Sequence, residues 1–244
     1  KILLLDAEDA GVGASRTELY LPLLKDKNVG VVANQASTFA EVHLVDTLLN
    51  SGINVFKIFS PEHGFRGLAD EGAAIASGID AKTGLPIVSL YGKNKKPTAE
   101  QLQGIDILLF DLQDVGVRFY TYISTMTYVM EAAAENGIPV IVLDRPNPNG
   151  FYVDGPVLEP EFSSFVGMHQ VPVVYGLTIG EYAEMVNGEH WLKDSVQCEL
   201  TVIPMRNYVR NAIYRLPVKP SPNLPNWQSV YLYPSLCLFE GTDV

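Results

Sequence analysis

Short apolar runs alternate along the chain with segments whose apolar residues recur at helical spacing. The runs that have the length of a β-strand and are apolar almost throughout are residues 28–34, 53–60, 85–92, 105–114, 138–146 and 198–205. Continuous apolar strands separated by helices are typical of parallel sheets that are covered on both faces. The pattern therefore predicts an α/β fold of Rossmann-like architecture, with a mostly parallel sheet and helices on both of its faces.

Polar residues mark where the intervening helices begin, and glycines mark where they end. Three pairs have the spacing of a capping box, in which two residues cap the first turn reciprocally: Thr38 with Glu41, Thr98 with Gln101, and Thr178 with Glu181. The first pair predicts a helix that continues through Leu49 and ends at Gly52. Helical spacing from Tyr122 to Ala133 predicts a longer helix, which stops at residues 136–137.

The alternation ends near Arg206, and the sequence that follows has a different character. Residues 206–244 are crowded with proline and aromatic side chains, which suits a segment that wraps a domain or leads into another one. We predict a Rossmann-like domain over residues 1–205, followed by an extension over residues 206–244.

Charge and hydropathy narrow the classes of partner. The 244 residues include 28 Asp and Glu against 17 Lys and Arg, a formal net charge of −11, whereas nucleic-acid binding draws on clustered basic residues. We therefore expect no nucleic-acid partner.

No apolar run has the length needed to span a bilayer, and the opening residues 1–5 are too short for a signal peptide.

Acids and arginines directly follow three of the predicted strands. The polar residues at these strand ends are Glu62, His63 and Arg66; Asp111, Gln113, Asp114 and Arg118; and Asp144, Arg145 and Asn147. Open parallel sheets bind ligands outside the carboxyl ends of their strands, so these side chains are expected to meet at one edge. The clustering predicts a site for a small polar ligand, with tyrosines such as Tyr120 nearby.

Each of these residues also has a purely structural interpretation. Acids at strand ends often cap the next helix or pair with a neighbouring arginine. Asp144, next to Arg145 and two prolines, is the best candidate for such a role. His63 has an alternative as an ordinary loop histidine, and Tyr122 as a core residue on the apolar stripe of its helix. The clustering, rather than any single position, favours a functional site.

Familiar cofactor and metal motifs are missing from the sequence. It contains no Walker A motif, no G-x-S-x-G elbow and no H-E-x-x-H pair. Residues 11–16 (GVGASR) match a dinucleotide fingerprint only in part, since the third glycine is absent. We therefore expect no cofactor. His63 is the only histidine near the acids, so a metal site is not favoured.

Several longer motifs resemble one enzyme family. They include SPEHGFRG at residues 60–67, DLQDVGVRFYTYISTM at 111–126, DRPNPNG at 144–150 and LFEGTDV at 238–244. From about Arg16 onward, their order and spacing resemble those of exo-acting β-N-acetylmuramidases of the NamZ type. The resemblance implies hydrolysis of the β-glycosidic bond that releases terminal N-acetylmuramic acid from the non-reducing end of peptidoglycan fragments. It also implies that residues 1–205 form the catalytic domain. The extension over residues 206–244 would then lead toward a smaller carboxy-terminal domain beside the active-site cleft, which this sequence does not include.

The resemblance implies catalytic roles as well. Glu62 matches the family's proposed catalytic glutamate, and we expect it to act as the acid/base, with apolar neighbours supplying desolvation. His63 would orient Glu62 or contact the substrate. Asp111 or Asp114 would be the second group, as a nucleophile, as a base for water, or as the residue that orients the substrate's acetamido group.

The substrate itself suggests further ligands. Muramic acid has a lactyl carboxylate, and arginine forks bind carboxylates through two parallel hydrogen bonds. A tyrosine packs against a sugar ring while its hydroxyl bonds to a ring substituent. The predicted substrate-binding set is Arg66, Arg118, Tyr120, Asp144, Arg145 and Asn147.

Two other functions fit the same residues. One is a non-catalytic cell-wall domain that binds a muramic acid saccharide without turnover. The other is a metal-assisted hydrolase of an amide or phosphoester, with Asp111, Asp114 and His63 as ligands.

Because peptidoglycan fragments lie outside the cytoplasmic membrane or are imported from there, we expect a periplasmic or secreted protein.

Overall fold

A central β-sheet organises the structure, a computed structural model that describes residues 3–6, 11–62, 64–66 and 77–242. In chain order the strands are β1 (Leu3–Asp6), β2 (Val29–Ala33), β3 (Thr38–Phe39), β4 (Val42–His43), β5 (Val55–Ser60), β6 (Gly78–Ile79), β7 (Pro86–Ser89), β8 (Ile107–Asp111), β9 (Val140–Leu143), β10 (Leu200–Ile203) and β11 (Ala212–Arg215). Each predicted apolar run contains one of these strands.

The described residues also form six α-helices. They are α1 (Thr17–Leu24), α2 (Leu44–Asn50), α3 (Ala99–Leu102), α4 (Tyr122–Glu135), α5 (Ile179–Gly188) and α6 (Trp227–Leu236). Short 3-10 helices lie at Gly13–Ser15, Pro160–Phe162, Lys193–Ser195 and Cys237–Gly241. Within the described residues, no helix has the combined length and apolar character needed to cross a membrane.

Seven of the described strands form the main sheet, in the order β10-β9-β8-β2-β5-β7-β6. Every neighbouring pair is parallel except the edge strand β6, which runs antiparallel to β7. The predicted mostly parallel, Rossmann-like sheet is therefore confirmed.

The central strands β2, β8 and β9 are buried along their whole length, which explains why they are apolar almost throughout. In β2, Val32 packs on one face, whereas Val31 and Ala33 pack on the other. The core on the first face includes side chains of α4 and α5, and the core on the second includes side chains of α1 and α2. Helices thus lie on both faces, as predicted.

Two of the three predicted capping boxes form. Thr98 with Gln101 caps α3, and Thr178 with Glu181 caps α5, with side-chain and backbone bonds in both directions. The long helix α4 ends at Glu135, directly before the predicted stop. Local capping therefore sets these helix boundaries.

The predicted capping box at Thr38 and Glu41 is wrong. These residues belong to an antiparallel hairpin of β3 and β4, whose turn residues Ala40 and Glu41 have positive φ. The helix starts later, at Leu44, because His43 caps it: the Nδ1 of His43 accepts a hydrogen bond from the backbone N–H of Val45. The hairpin occupies the segment that the pattern assigned to the first helical turn.

The described part of the extension packs against the domain and contains regular structure that the pattern missed. Strand β11 pairs in parallel with β1, and Asn226 with Ser229 forms a capping box for α6. Four of its side chains join the core that α4 and α5 form: Leu224, Val230, Tyr233 and Cys237. These residues wrap the domain, while the division at residue 205 stays a prediction.

Candidate active site

Strand order reverses next to β2. Strands β5 and β7 lie on one side of β2, whereas β8, β9 and β10 lie on the other. In open parallel sheets such a reversal opens a crevice at the carboxyl ends of the strands. The predicted site residues follow β5, β8 and β9, so the topology brings these segments to the edge where a ligand would bind.

One cavity at this edge contains Glu62. It has a volume of about 250 Å³ and combines residues after β5, the loop before α4, and the extension. We call it the Glu62 cavity; its described lining is Glu62, Phe119, Tyr120, Thr121, Tyr122, Val166, Ser221, Asn223, Leu224, Tyr233 and Glu240. Two glutamates and three tyrosines of the described lining thus share one small space.

Hydrogen bonds fix two of these tyrosines in place. Asn34, directly after β2, donates from Nδ2 to the hydroxyl oxygen of Tyr122 at 2.8 Å. The Tyr120 hydroxyl donates to the carbonyl oxygen of Pro220 at 2.7 Å, which ties the loop before α4 to the extension. The two rings meet edge to face, with centroids 4.7 Å apart. Tyr120, a predicted substrate-binding residue, therefore lies in the Glu62 cavity, and so does Tyr122.

Glu62 is half-buried just beyond the end of β5. Its charge, together with a hydrogen bond, raises the pKa of the Tyr91 hydroxyl. Burial raises the pKa of Tyr122, and the charge of Glu62 adds to this effect. The Glu62 carboxylate thus lies near two tyrosine hydroxyls while remaining in contact with solvent.

Asp111 and Arg145 form a buried ion pair between the ends of β8 and β9. Nε of Arg145 donates to Oδ1 of Asp111 at 2.5 Å, and Nη2 donates to Oδ2 at 2.8 Å. The two side chains are only 0% and 4% exposed. This bidentate geometry satisfies both groups and matches the structural interpretation of an acid beside an arginine. Their predicted roles in catalysis and in carboxylate binding stay predictions.

Asp114 is buried close to the cavity tyrosines. Its Oδ2 accepts hydrogen bonds from the backbone N–H of Gly116, at 2.7 Å, and from the Tyr175 hydroxyl. Its Oδ1 has no hydrogen-bond partner among the described residues. Burial raises the pKa of Asp114 to about 7. Asp114 is absent from the described lining of the Glu62 cavity, and its predicted catalytic role stays a prediction.

The other two predicted arginines have different partners. Arg66 binds Asp80 through Nε at 3.0 Å and Nη2 at 2.8 Å, and this pairing lowers the pKa of Asp80 to about 2. Nη1 of Arg118 donates to the carbonyl oxygens of Pro156 and Val171, and its Nε has no partner in the described part of the chain. Arg66 is therefore already engaged by a carboxylate, whereas Arg118 bonds to backbone carbonyls.

Asp144 and Asn147 hold the chain after β9. Asp144 accepts hydrogen bonds from the Thr178 hydroxyl at 2.9 Å and from the backbone N–H of Gly180 at 2.8 Å, so it anchors the start of α5. Burial raises the pKa of Asp144 to about 6. Nδ2 of Asn147 donates to the carbonyl oxygen of Leu177 at 2.7 Å. Both residues have structural partners, and their predicted contact with substrate stays a prediction.

A larger cavity lies beside the Asp111–Arg145 pair. Its volume is about 970 Å³, and we call it the Arg145 cavity; its described lining is Gly11, Val12, Ser15, Thr38, Phe39, Ala40, Glu41, Gln113, Arg145, Pro217 and Val218. The predicted site residues therefore divide: Glu62 and Tyr120 line one cavity, whereas Arg145 and Gln113 line the other. The remaining predicted residues that the structure describes line neither.

The partial glycine fingerprint has a packing role. A Cβ at Gly13 would lie 2.5 Å from the carbonyl oxygen of Ile203 and 2.6 Å from the backbone nitrogen of Asp144. The N–H of Gly13 also donates to the carbonyl oxygen of Asp144 at 2.8 Å. This close approach of two backbones accounts for the glycine without a phosphate ligand.

The predicted catalytic His63 and the alternative of a metal site remain to be placed. His63 lies outside the described residues. In the ranges that the structure describes, no three His, Cys, Asp or Glu side chains are grouped so that they could hold a metal ion.

The extension contributes residues to the Glu62 cavity that the sequence reasoning did not identify as site residues. Asn223, Tyr233 and Glu240 all line it. The signal for Glu240 was the LFEGTDV motif at residues 238–244, which carried the family resemblance without a role for its glutamate. No comparable signal marked Asn223 or Tyr233, since their place in the cavity depends on how the extension packs.

Comparison with known proteins identifies a family. Residues 29–228 match the family model described as exo-beta-N-acetylmuramidase NamZ, N-terminal. The peptidoglycan beta-N-acetylmuramidase NamZ of Bacillus subtilis (strain 168) is 50% identical over 232 residues, which cover 92% of this chain and 55% of that protein. The chain thus spans about half the length of this curated relative.

Two solved structures of DUF1343 family proteins from Bacteroides fragilis NCTC 9343 share the fold. One is 50% identical, with a TM-score of 0.87, and the match covers 96% of this chain and 62% of that one. The other is 38% identical, with a TM-score of 0.86, and the match covers 95% of this chain and 60% of that one. Both matches extend over nearly all of the chain, as expected for one shared architecture.

Proposed function

The chain belongs to the NamZ family of exo-β-N-acetylmuramidases, and from this membership we propose that the protein is a glycosidase acting on peptidoglycan fragments. It would hydrolyse the β-glycosidic bond of the terminal N-acetylmuramic acid at the non-reducing end and release that sugar. The similar Bacillus subtilis protein bears the name of this activity. The match covers only 55% of that relative, so we carry its activity over to this protein as a proposal.

The observation that carries the proposal is the Glu62 cavity. Glycoside hydrolysis requires carboxyl groups beside the scissile bond, and sugars are commonly bound against aromatic rings. Glu62 supplies a solvent-accessible carboxylate in a cavity walled by Tyr120 and Tyr122. We assign Glu62 as a carboxylate that acts on the glycosidic bond, and the two tyrosines as groups that face the sugar.

The substrate class bears on where the protein works. Peptidoglycan fragments carrying terminal muramic acid arise during turnover of the cell wall, outside the cytoplasmic membrane. We therefore extend the proposal to cell-wall turnover by a periplasmic or secreted protein. Fractionation of the producing cells would test this location.

Turnover of a chromogenic sugar tests the activity. The protein is expected to release 4-nitrophenol from the β-N-acetylmuramide and to leave the β-N-acetylglucosaminide, which lacks the lactyl group, largely intact. Glu62→Gln should retain the fold and lose turnover by roughly 10²-fold or more, as expected for removal of a carboxylate that takes part in the reaction. Tight binding of muramic acid by a folded protein without turnover would instead favour a non-catalytic sugar-binding domain.

A further inference from the structure

Glu240 reaches the Glu62 cavity from a distant part of the chain. It lies in the 3-10 helix Cys237–Gly241, which directly follows α6, and it lines the cavity together with Glu62. The hydroxyl of Tyr233 in α6 lies 3.4 Å from Oε2 of Glu240. Because Tyr233 and Cys237 are buried in the core, this end of the extension is held against the cavity.

Two carboxylates in one small cavity repel each other when both are ionised. The described lining contains no Lys or Arg that would neutralise the charge of Glu62 and Glu240. Repulsion without a compensating cation favours a state in which one carboxyl keeps its proton. Glycosidases use such a pair, with one carboxyl as the proton donor and the other as an anion.

The surroundings of the two glutamates differ, and this difference indicates which one keeps the proton. The charge of Glu62 raises the pKa of the Tyr91 hydroxyl, so these two side chains lie close together. Glu240 is exposed as a whole residue, but desolvation of its carboxyl raises its pKa, and the charge of Glu62 raises it further against the opposing effect of the Tyr233 hydroxyl. Glu240 is therefore the member of the pair that is better suited to carry a proton.

Resting on the proposed glycosidase function, we propose that Glu240 is a catalytic residue and the proton donor of the reaction, with Glu62 as the anionic carboxylate. Glu240 transfers its proton to the glycosidic oxygen while the bond from C1 to that oxygen breaks and the electron pair goes to the oxygen. Water supplies the hydroxyl that ends on C1, and its remaining proton returns to the pair. The role differs from the acid/base role that the sequence predicts for Glu62.

The dependence on the leaving group tests this role in the intact protein. In a natural muramyl disaccharide the leaving group is a sugar hydroxyl, which is poorly acidic and needs a proton donor. In the 4-nitrophenyl muramide the leaving group is 4-nitrophenolate, which leaves readily without one. Glu240→Gln is therefore expected to lower kcat/KM on the disaccharide by about 10²-fold to 10⁴-fold, but by less than about tenfold on the 4-nitrophenyl muramide. Glu62→Gln should reduce both rates severely. The control Glu189→Gln, at an exposed position after α5, should change neither rate.

These measurements distinguish a failure of the proposed muramidase activity from a failure of the role assigned to Glu240. If the unaltered protein turns over neither muramide, the proposed function fails. If the unaltered protein is active, equal losses on both substrates in Glu240→Gln, or no loss on either, overturn the assignment of Glu240 as proton donor. A lowered melting temperature together with equal losses would show that Glu240 acts through the structure of the extension instead. A selective loss on the disaccharide at an unchanged melting temperature supports the assignment.

Discussion

Replacing Asp111 by asparagine tests whether the Asp111–Arg145 pair holds the fold together. The substitution keeps the size of the side chain but removes its charge, so the guanidinium of Arg145 stays buried at 4% exposure without a counter-ion. Removing one partner of a buried pair costs about 3–5 kcal/mol, because an uncompensated charge is left in a poorly solvated place. We expect Asp111→Asn to lose that much stability.

Urea denaturation followed by circular dichroism measures this loss. For a chain of this size, about 3–5 kcal/mol corresponds to a fall in melting temperature of roughly 6–20 °C. The double variant Asp111→Leu/Arg145→Met removes both charges and should recover stability to within about 2 kcal/mol of the unaltered protein, since apolar replacements of buried pairs are often neutral.

A surface pair provides the matched control. Arg206 and Glu18 lie 3.0 Å apart with side chains 62% and 53% exposed, so Glu18→Gln should cost no more than about 1 kcal/mol. The structural reasoning would be refuted if Asp111→Asn were as stable as Glu18→Gln. Full stability combined with lost turnover would move Asp111 back to the catalytic role that the sequence predicts.

Three further predictions follow from the geometry. Burial raises the pKa of Asp114 to about 7, so the native state keeps a proton that the unfolded chain releases above about pH 4. The free energy of unfolding that this group contributes should therefore fall between about pH 4 and 7. Asp114→Asn should remove that part of the pH dependence of the melting temperature. Gly13→Ala would force a Cβ to 2.5 Å from a carbonyl oxygen and should lower the melting temperature by about 2–12 °C, whereas Gly188→Ala, which meets no atom within 4 Å, should not. Tyr91→Phe removes a hydrogen bond to Glu62 and should lower kcat/KM on the muramide by roughly tenfold or more at unchanged stability; an unaltered rate would contradict the contact.

Local sequence signals predicted those parts of the fold that local physics determines. Strand β2 and its neighbours are apolar on both faces because both faces are buried, and two capping boxes act within a single helical turn. The hairpin at residues 38–43 escaped prediction because Ala40 and Glu41 adopt positive φ without the Gly or Asn that usually signals such a turn. Helix α6 escaped it because proline and aromatic residues obscure its period.

The site was predictable only where it follows the strands. Glu62 and Tyr120 follow strands of the sheet, and the topology alone brings those segments to one edge. Glu240 was not predictable as a partner of Glu62, because their proximity depends on the packing of Tyr233 and Cys237 against a distant helix. The sequence likewise allowed both a catalytic and a structural role for Asp111, since pairing with Arg145 depends on a side-chain distance across two strands.

A structure of the Glu62→Gln variant with a bound muramyl disaccharide would show whether the two glutamates flank the scissile bond. We expect the disaccharide in the Glu62 cavity, with its glycosidic oxygen at about 3 Å from the carboxyl of Glu240 and with C1 facing the side chain at position 62. A disaccharide bound in the Arg145 cavity, or one whose glycosidic oxygen lies far from both side chains, would contradict this expectation.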